Sequence, residues 1–139
     1  MKLRTTVMFM LLFGCATALS PQGQPTQDDR LHFPVSLIRV IANPNGFDGQ
    51  PIKVIGFLAP GGELDMSVGL FVSEADGRNH IVPNSIDLDV DERKVKNLME
   101  GYVTLTGTYH APDPRAIGDN GHIDQIHDMN SWHVGNIAK

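Results

Sequence analysis

Histidines and carboxylates are concentrated near the C-terminal end of the chain. The histidines are His110, His122, His127 and His133, and the aspartates among them are Asp113, Asp119, Asp124 and Asp128. Imidazole nitrogens and carboxylate oxygens are suitable ligands for zinc and other divalent ions. His110 and His122 flank a predicted connection between two strands, so a hairpin would bring them together. The pattern therefore permits a metal site formed by His110, His122 and Asp124.

The spacing of these residues does not favour a metal site over simpler interpretations. The chain contains neither His-Glu-x-x-His nor a paired Cys-x-x-Cys motif. His122 and His127 are an odd number of positions apart, so a regular strand would point them to opposite faces. We therefore interpret the histidines as a solvated polar rim, predict no cofactor, and keep the metal site as the alternative.

The loop over residues 111–121 contains one cation, Arg115. A guanidinium there could bind a carboxylate or phosphate group, and Asp113 lies close to it in sequence. Long loops without secondary structure are often functional. Arg115 and Asp113 are therefore the candidate ligand-binding residues, although an ordinary solvated loop is equally consistent with this composition.

Asp87, Asp89 and Asp91 alternate along the chain, and alternate residues share one face of an extended segment. Three such carboxylates could bind calcium. However, Glu92 and Leu98 occupy the positions where an EF-hand loop requires glycine and glutamate. We favour a helix cap at Asp91 and a charged strand edge instead.

The sequence also argues against three further functions: nucleophilic catalysis, nucleotide binding through a phosphate-binding loop, and nucleic-acid binding. Neither Gly-x-Ser-x-Gly nor the phosphate-binding Gly-x-x-x-x-Gly-Lys-[Ser/Thr] pattern occurs in the chain. The formal net charge is −5 at pH 7, and loss of Lys2 and Arg4 with a cleaved signal would make it more negative. Such a surface repels phosphate backbones. We predict a protein that is not an enzyme and does not bind nucleic acid.

The N-terminus has the pattern of an export signal. Lys2 and Arg4 precede an apolar run over residues 7–13, followed by Gly14 and Cys15. The run is shorter than the ~20 residues that a membrane-spanning helix needs, and the order of segments matches a cleaved signal. Its end resembles the lipobox of bacterial lipoproteins, in which the cysteine is acylated. We therefore assign residues 1–14 to a signal peptide, 15–33 to a lipid anchor and flexible tether, and 34–139 to one folded domain.

Two processing routes remain open. Lipidation at Cys15 would attach the protein to a membrane, and Ala16 in place of aspartate after the cysteine implies, by resemblance to Gram-negative lipoproteins, the outer membrane facing the periplasm. Ordinary signal cleavage after Ala18 would instead release a soluble periplasmic or secreted protein. Cys15 is the only cysteine, so no intramolecular disulfide can form.

The elements of the domain follow from periodicity and turn chemistry. We predict a helix over residues 37–41 capped by Ser36, a hairpin turn at Asp76-Gly77, and a helix over 92–99 capped by Asp91. The predicted strands are 52–58, 68–72, one within 79–88, 102–109 and 122–129. This order predicts an all-β fold with short helices. It is a five-stranded OB-fold-like small barrel, with one helix before strand one and another between strands three and four. Gly56 and Gly107 fit the sharp bends of such a barrel.

Three segments carry a family resemblance: Ser36 to Pro44, Phe47 to Phe57, and Gly101 to Tyr109. Together they resemble small exported bacterial proteins of unknown function, similar to the anticodon-binding-like OB domains found in lipoproteins. The resemblance covers nearly all of residues 34–132. It implies architecture and compartment only, and it assigns no site residue.

These observations predict a non-enzymatic binding module of the cell envelope. Its expected partner is an envelope protein, or less readily a glycan, bound across strands two and three and the loops over residues 59–66 and 111–121. The alternative is an envelope metal-binding protein that uses His110, His122 and Asp124.

Overall fold

The fold is described from a computed structural model, which covers residues 33–61, 67–115 and 118–133. The predicted signal peptide, Cys15 and nearly all of the predicted tether lie outside the described residues. The strands are β1 Val35–Ser36, β2 Gln50–Pro60, β3 Val68–Phe71, β4 Ser85–Leu88, β5 Gly101–His110 and β6 His122–Ser131. The α-helices are α1 Leu37–Ala42, α2 Glu74–Arg78 and α3 Glu92–Val95, and short 3-10 helices span Pro44–Gly46 and Val82–Asn84.

The strands close into a small barrel. Their order is β1-β2-β3-β4-β6-β5, and an additional pairing of β2 with β5 closes the sheet around β2 to β6. The two-residue strand β1 adds to β2 in parallel, outside the closed set. This confirms the predicted OB-fold-like barrel of five strands with short helices. Closure leaves no long unpaired edge among the barrel strands, which explains why strands as short as β3 and β4 are stable.

The core fills the inside of the barrel. Val103, Leu105 and Tyr109 alternate on β5 as the sequence predicts, and all three are fully buried. They pack with the inward residues of β2 and β6, among them Ile52 and Ile123. The alternation of apolar residues with period two therefore decides which face of each strand points inward.

A second, smaller apolar cluster lies outside the barrel. Phe57, Ala59 and Phe71 form it, and the ring of Tyr102 packs against it. Helix α2 covers this cluster. The packing is so close that a methyl group added at Gly77 would come within 2.6 Å of the Phe57 ring. The part of the outward face of β2 and β3 that carries these residues is consequently covered by the chain itself.

The predicted hairpin turn at Asp76-Gly77 is wrong. These residues lie in helix α2, where the Ser73 hydroxyl accepts a hydrogen bond from the Asp76 N–H at 3.1 Å and caps the helix. Glu74 and Asp76 also place negative charge in the first turn, which favours helix. The Asp-Gly signal specifies a hairpin only when both flanking strands follow directly, and here β4 begins well beyond it, at Ser85.

The other predicted helices form with changes at their ends. Asp91 caps α3 as predicted, accepting a hydrogen bond from the Arg93 N–H at 3.0 Å. That helix ends at Val95 instead of continuing to Met99. Ser36 precedes α1 in an extended conformation but makes no side-chain capping bond.

Within the described ranges, no helix has the length and apolar character needed to cross a bilayer.

Candidate functional site

The β5–β6 hairpin places the candidate ligands at one end of the barrel. His110 is the last residue of β5 and His122 the first of β6, and the two are paired directly across the strands. The glycine before His122, Gly121, has a φ of 83° and lies against the carbonyl of His110. A side chain at Gly121 would be strained and would collide there. This close approach lets the long connection return with the two histidines side by side.

The connection is anchored by Asn120. Its side-chain amide donates hydrogen bonds to three carbonyls, those of Val82, Pro83 and Ser85, at 3.2, 2.9 and 2.9 Å. The backbone carbonyl of Asn120 accepts a bond from the hydroxyl of Tyr109 at 2.7 Å. The start of β6 is therefore fixed against both β4 and β5, which positions His122.

The imidazole rings of His110 and His122 stack. Their centroids are 4.9 Å apart and the ring planes are inclined by 21°. Asp124 lies two residues after His122 on the same strand and therefore on the same face of the sheet. The hairpin thus brings together the three residues that the sequence marks as the alternative metal site.

One contact within this group is chemically unusual. Nε2 of His110 lies 3.0 Å from Oδ1 of Asp124. The two groups form an ion pair when the imidazole is protonated, but both atoms are shielded from solvent and neither makes a hydrogen bond to any described residue. Buried polar atoms nearly always have a hydrogen-bond partner, and an exception calls for a specific explanation. A cation held by both atoms would supply the missing interaction.

The spacing of the three side chains suits a metal ion. One ligand atom from each of His110, His122 and Asp124 lies within 4.8 Å of the other two. Zinc bound tetrahedrally at about 2.0–2.2 Å by imidazole and carboxylate sets its ligand atoms roughly 3.3 Å apart. The His110–Asp124 pair is already close to that separation, so small side-chain rotations would complete the set.

The electrostatic surroundings also favour a cation. Burial, together with the carboxylates of Asp119 and Asp48, raises the pKa of Tyr109, the residue before His110, to about 12. Asp48 is held beside this end of β5 because it accepts a hydrogen bond from the Ala111 N–H at 2.9 Å. Burial is the largest cause of that shift, and the two carboxylates add negative charge near this end of β5, which attracts a positive ion.

The strand β6 is irregular between Asp124 and Asp128, the segment that contains His127. Thr106 pairs with Asp128 but Thr108 pairs with Asp124, so β6 has extra residues at this point. Gln125, in this bulge, has a φ of 48°, and its carbonyl contacts Nδ1 of His127 at 3.1 Å. His127 thus lies in the irregular segment and is not a member of the cluster.

The predicted ligand-binding residues of the 111–121 loop pair with each other. Asp113 accepts bonds from the Arg115 N–H at 2.9 Å and from Nε and Nη2 of its guanidinium at 3.2 Å each. These bonds lower the pKa of the Asp113 carboxyl. The guanidinium of Arg115 thus binds a carboxylate of its own loop. This pair is not part of the histidine cluster.

The alternating aspartates before α3 do not converge on one point. Asp91 binds the backbone and guanidinium of Arg93, and its pKa falls to about 2, chiefly through the Arg93 side-chain hydrogen bond. Asp87 lies on β4 directly opposite His122. The cap interpretation of Asp91 is confirmed.

A shallow groove that sequence reasoning missed lies between α2 and the barrel. It has a volume of about 360 Å³ and is lined by Phe57, Ala59, Pro60, Gly77, Arg78, His80 and Glu100. His80 and Glu100 both have positive φ, 50° and 58°. Only the packing of α2 on β2 brings these segments together, so no local pattern in the sequence indicates the groove.

Fold and site together define a small OB-fold-like barrel with a candidate His-His-Asp metal centre at one end. No protein-family model and no curated protein matches the chain.

Proposed function

We propose that this barrel binds a divalent transition-metal ion through His110, His122 and Asp124. The observation that carries the proposal is the pair of shielded atoms, Nε2 of His110 and Oδ1 of Asp124, 3.0 Å apart without a hydrogen bond to any described residue. Leaving two such atoms unsatisfied costs free energy. A cation bound by His110, Asp124 and the neighbouring His122 would offset that cost.

The donor set indicates the class of metal. Two imidazoles and one carboxylate suit zinc, copper, nickel or iron, whereas calcium and magnesium prefer sites built wholly from oxygen ligands. Zinc is the first choice for testing, because the 3.0 Å separation of the His110 and Asp124 ligand atoms is close to that of a tetrahedral zinc site and zinc needs no redox partner. We propose a metal-binding protein that is not an enzyme.

The compartment is proposed from the N-terminal sequence. The signal pattern and Cys15 support export and lipid anchoring in the bacterial envelope, at the outer membrane facing the periplasm. A protein partner stays a prediction. Its expected surface, predicted strands two and three, corresponds to β3 and β4, and the outward side chain of Phe71 on β3 is already buried in the cluster beneath helix α2. The carboxylates near His110 also support the prediction that nucleic acid is not the ligand.

The metal proposal is tested by titrating the purified, metal-free chain with Zn²⁺ in a calorimeter. All variants carry Cys15→Ala, so that the thiol cannot bind the ion. We expect one equivalent of zinc to bind, and the binding to be lost in His110→Ala, His122→Ala and Asp124→Asn. His127→Ala is the matched control, because His127 lies on the same strand but outside the cluster, and it should bind as the parent does.

Two results would overturn the proposal. One is the absence of saturable binding of Zn²⁺, Cu²⁺ or Ni²⁺ to the parent chain. The other is an equal loss of affinity in His127→Ala and His122→Ala, which would indicate nonspecific binding to surface histidines. Circular dichroism of each variant establishes that a lost site does not reflect a lost fold.

A further inference from the structure

The barrel closes through one seam that is much shorter than the others. Strands β2 and β5 pair over nine residues, from Gln50↔Tyr109 to Leu58↔Gly101. Strands β4 and β6 pair in parallel over only two, Asp87↔His122 and Leu88↔Ile123. Parallel pairs are also slightly less stable per residue than antiparallel pairs. The β4–β6 seam is therefore the weakest join in the closed sheet.

The candidate metal centre lies beside this seam. His122 belongs to β6, His110 pairs with it from β5, and Asp87 pairs with it from β4. Residues opposite one another on neighbouring strands share a face, with Cβ atoms about 4.5–5.5 Å apart in antiparallel pairs and at a similar strand spacing in parallel ones. Asp87 is exposed and pairs with His122, so its side chain is on the outer face of the barrel. Its carboxylate lies outside the group that His110, His122 and Asp124 form within 4.8 Å, and a rotation of its side chain would be needed to bring it in.

We propose that Asp87 supplies the fourth ligand, so that the metal ion connects β4, β5 and β6 and fastens the seam. This inference rests on the proposed function, since it needs metal at the three-residue site. Structural zinc sites are almost always closed by four protein ligands, and a site with three leaves a position for water or substrate. Two histidines and two aspartates would complete such a closed site.

The backbone provides a direct readout of the seam. The N–H of Asp87 donates to the carbonyl of Gly121 at 3.3 Å, and that of Asp89 donates to the carbonyl of Ile123 at 2.9 Å. When a seam opens, its amide hydrogens exchange with solvent. A metal that ties β4 to β6 should slow exchange at these two amides, while amides in the β2–β5 seam change less.

The experiment compares the full chain with Asp87→Asn, Asp89→Asn and Asp87→Glu, all in the Cys15→Ala background, by Zn²⁺ titration and by residue-resolved hydrogen exchange. Asp89 is the matched control, since it is an exposed aspartate just past the end of β4. We expect Asp87→Asn to weaken zinc binding at least about tenfold, the loss typical even of an outer-shell partner. It should also abolish the zinc-dependent slowing at the seam. Asp89→Asn should leave both readouts unchanged, and Asp87→Glu, which keeps a carboxylate, should retain part of each.

The outcomes separate this inference from the proposal beneath it. If zinc binding depends on His110 and His122 but is unchanged in Asp87→Asn, the fourth ligand is not Asp87 and the inference is wrong while the proposed function stands. An effect of Asp89→Asn as large as that of Asp87→Asn also contradicts it. If the parent chain binds no metal, the proposed function fails first.

Discussion

Gly107 on β5 and Ile123 on β6 approach each other too closely for any side chain at position 107. A methyl group there would lie 2.6 Å from Cγ2 of Ile123 and 2.7 Å from the backbone carbonyl of Asp124. The approach coincides with the shift of register between Thr106 and Thr108. The sequence predicts a sharp bend at this mid-strand glycine, and the structure shows why glycine is needed there: β6 crosses too close for a side chain. The crossing lies next to the candidate ligand Asp124.

Replacing Gly107 with alanine should push the backbone of Asp124 away from β5. We expect the free energy of unfolding to fall by about 1–3 kcal/mol, the usual cost of overpacking, and zinc affinity to fall with it. Gly101→Ala on the same strand is the control, because its added methyl would meet nothing closer than 3.4 Å. Urea denaturation and zinc titration measure the two effects, and equal stability of both variants would refute this account of the strand crossing.

Ile123 lies between His122 and Asp124 but points into the core, where it is fully buried. Ile123→Ala should lower the free energy of unfolding by about 2–5 kcal/mol, through lost burial and the cavity left behind. Ile38→Ala should change it by less than about 0.5 kcal/mol, because Ile38 is 61% exposed. Denaturation of the two variants side by side tests whether β6 contributes to the core. A comparable loss in both would contradict it.

Asn120 joins the return of the 111–121 loop to the start of β4 with three side-chain hydrogen bonds. We expect Asn120→Ala to lower the free energy of unfolding by about 0.5–1.5 kcal/mol, the net contribution of a typical hydrogen bond, since only its bond to the Ser85 carbonyl is partly buried. It should also loosen His122 and weaken zinc binding. Asn79→Ala, which removes a single exposed bond to the Ala75 carbonyl, provides the comparison. If Asn120→Ala is no more harmful, the anchor does not position the site.

Asp91 predicts a pH dependence of stability. Its pKa is lowered from 3.8 to about 2 in the folded chain, first by the Arg93 side-chain hydrogen bond. A lowered carboxyl pKa means that its contribution is complete above pH 3.8 and disappears as the pH falls through about 2. Asp91→Asn should therefore melt at a lower temperature than the parent at neutral pH, and the difference should vanish in strong acid.

The control for Asp91 is the similar pair in the 111–121 loop. Asp113 binds Arg115 through the same three donors but caps no helix, so Asp113→Asn should shift the melting temperature less. Thermal melts at several pH values and two salt concentrations distinguish the variants. A difference for Asp91→Asn that persists in strong acid would show that its carboxylate charge is not the cause.

The proposed lipid anchor gives a separate prediction. Cells that express the full chain in a bacterium with lipoprotein processing should incorporate labelled palmitate into it, and Cys15→Ala should abolish the label. Cleavage after Ala18 without acylation would produce an exported protein that is never labelled. Mass spectrometry of the mature N-terminus distinguishes these two products from an unprocessed chain, which would refute export altogether.

The sequence by itself determined the fold class, because burial periodicity is a local property. Val103, Leu105 and Tyr109 alternate with polar residues, and a strand with that pattern can bury only one face. Local chemistry also identified Asp91 as a helix cap. Two local signals competed at Asp76-Gly77: a helix cap at Ser73 and a hairpin turn. The helix formed, because the next strand begins too far along the chain, at Ser85, for a tight turn.

The candidate site was decided by tertiary structure. Spacing along the chain left His110, His122 and Asp124 as one possibility among several. These residues match no motif of fixed spacing, so the sequence does not tell how close their side chains lie in the folded protein. The pairing of β5 with β6 and the glycines that allow close approach set those distances. Each depends on contacts between residues far apart in sequence, which only the closed barrel brings together.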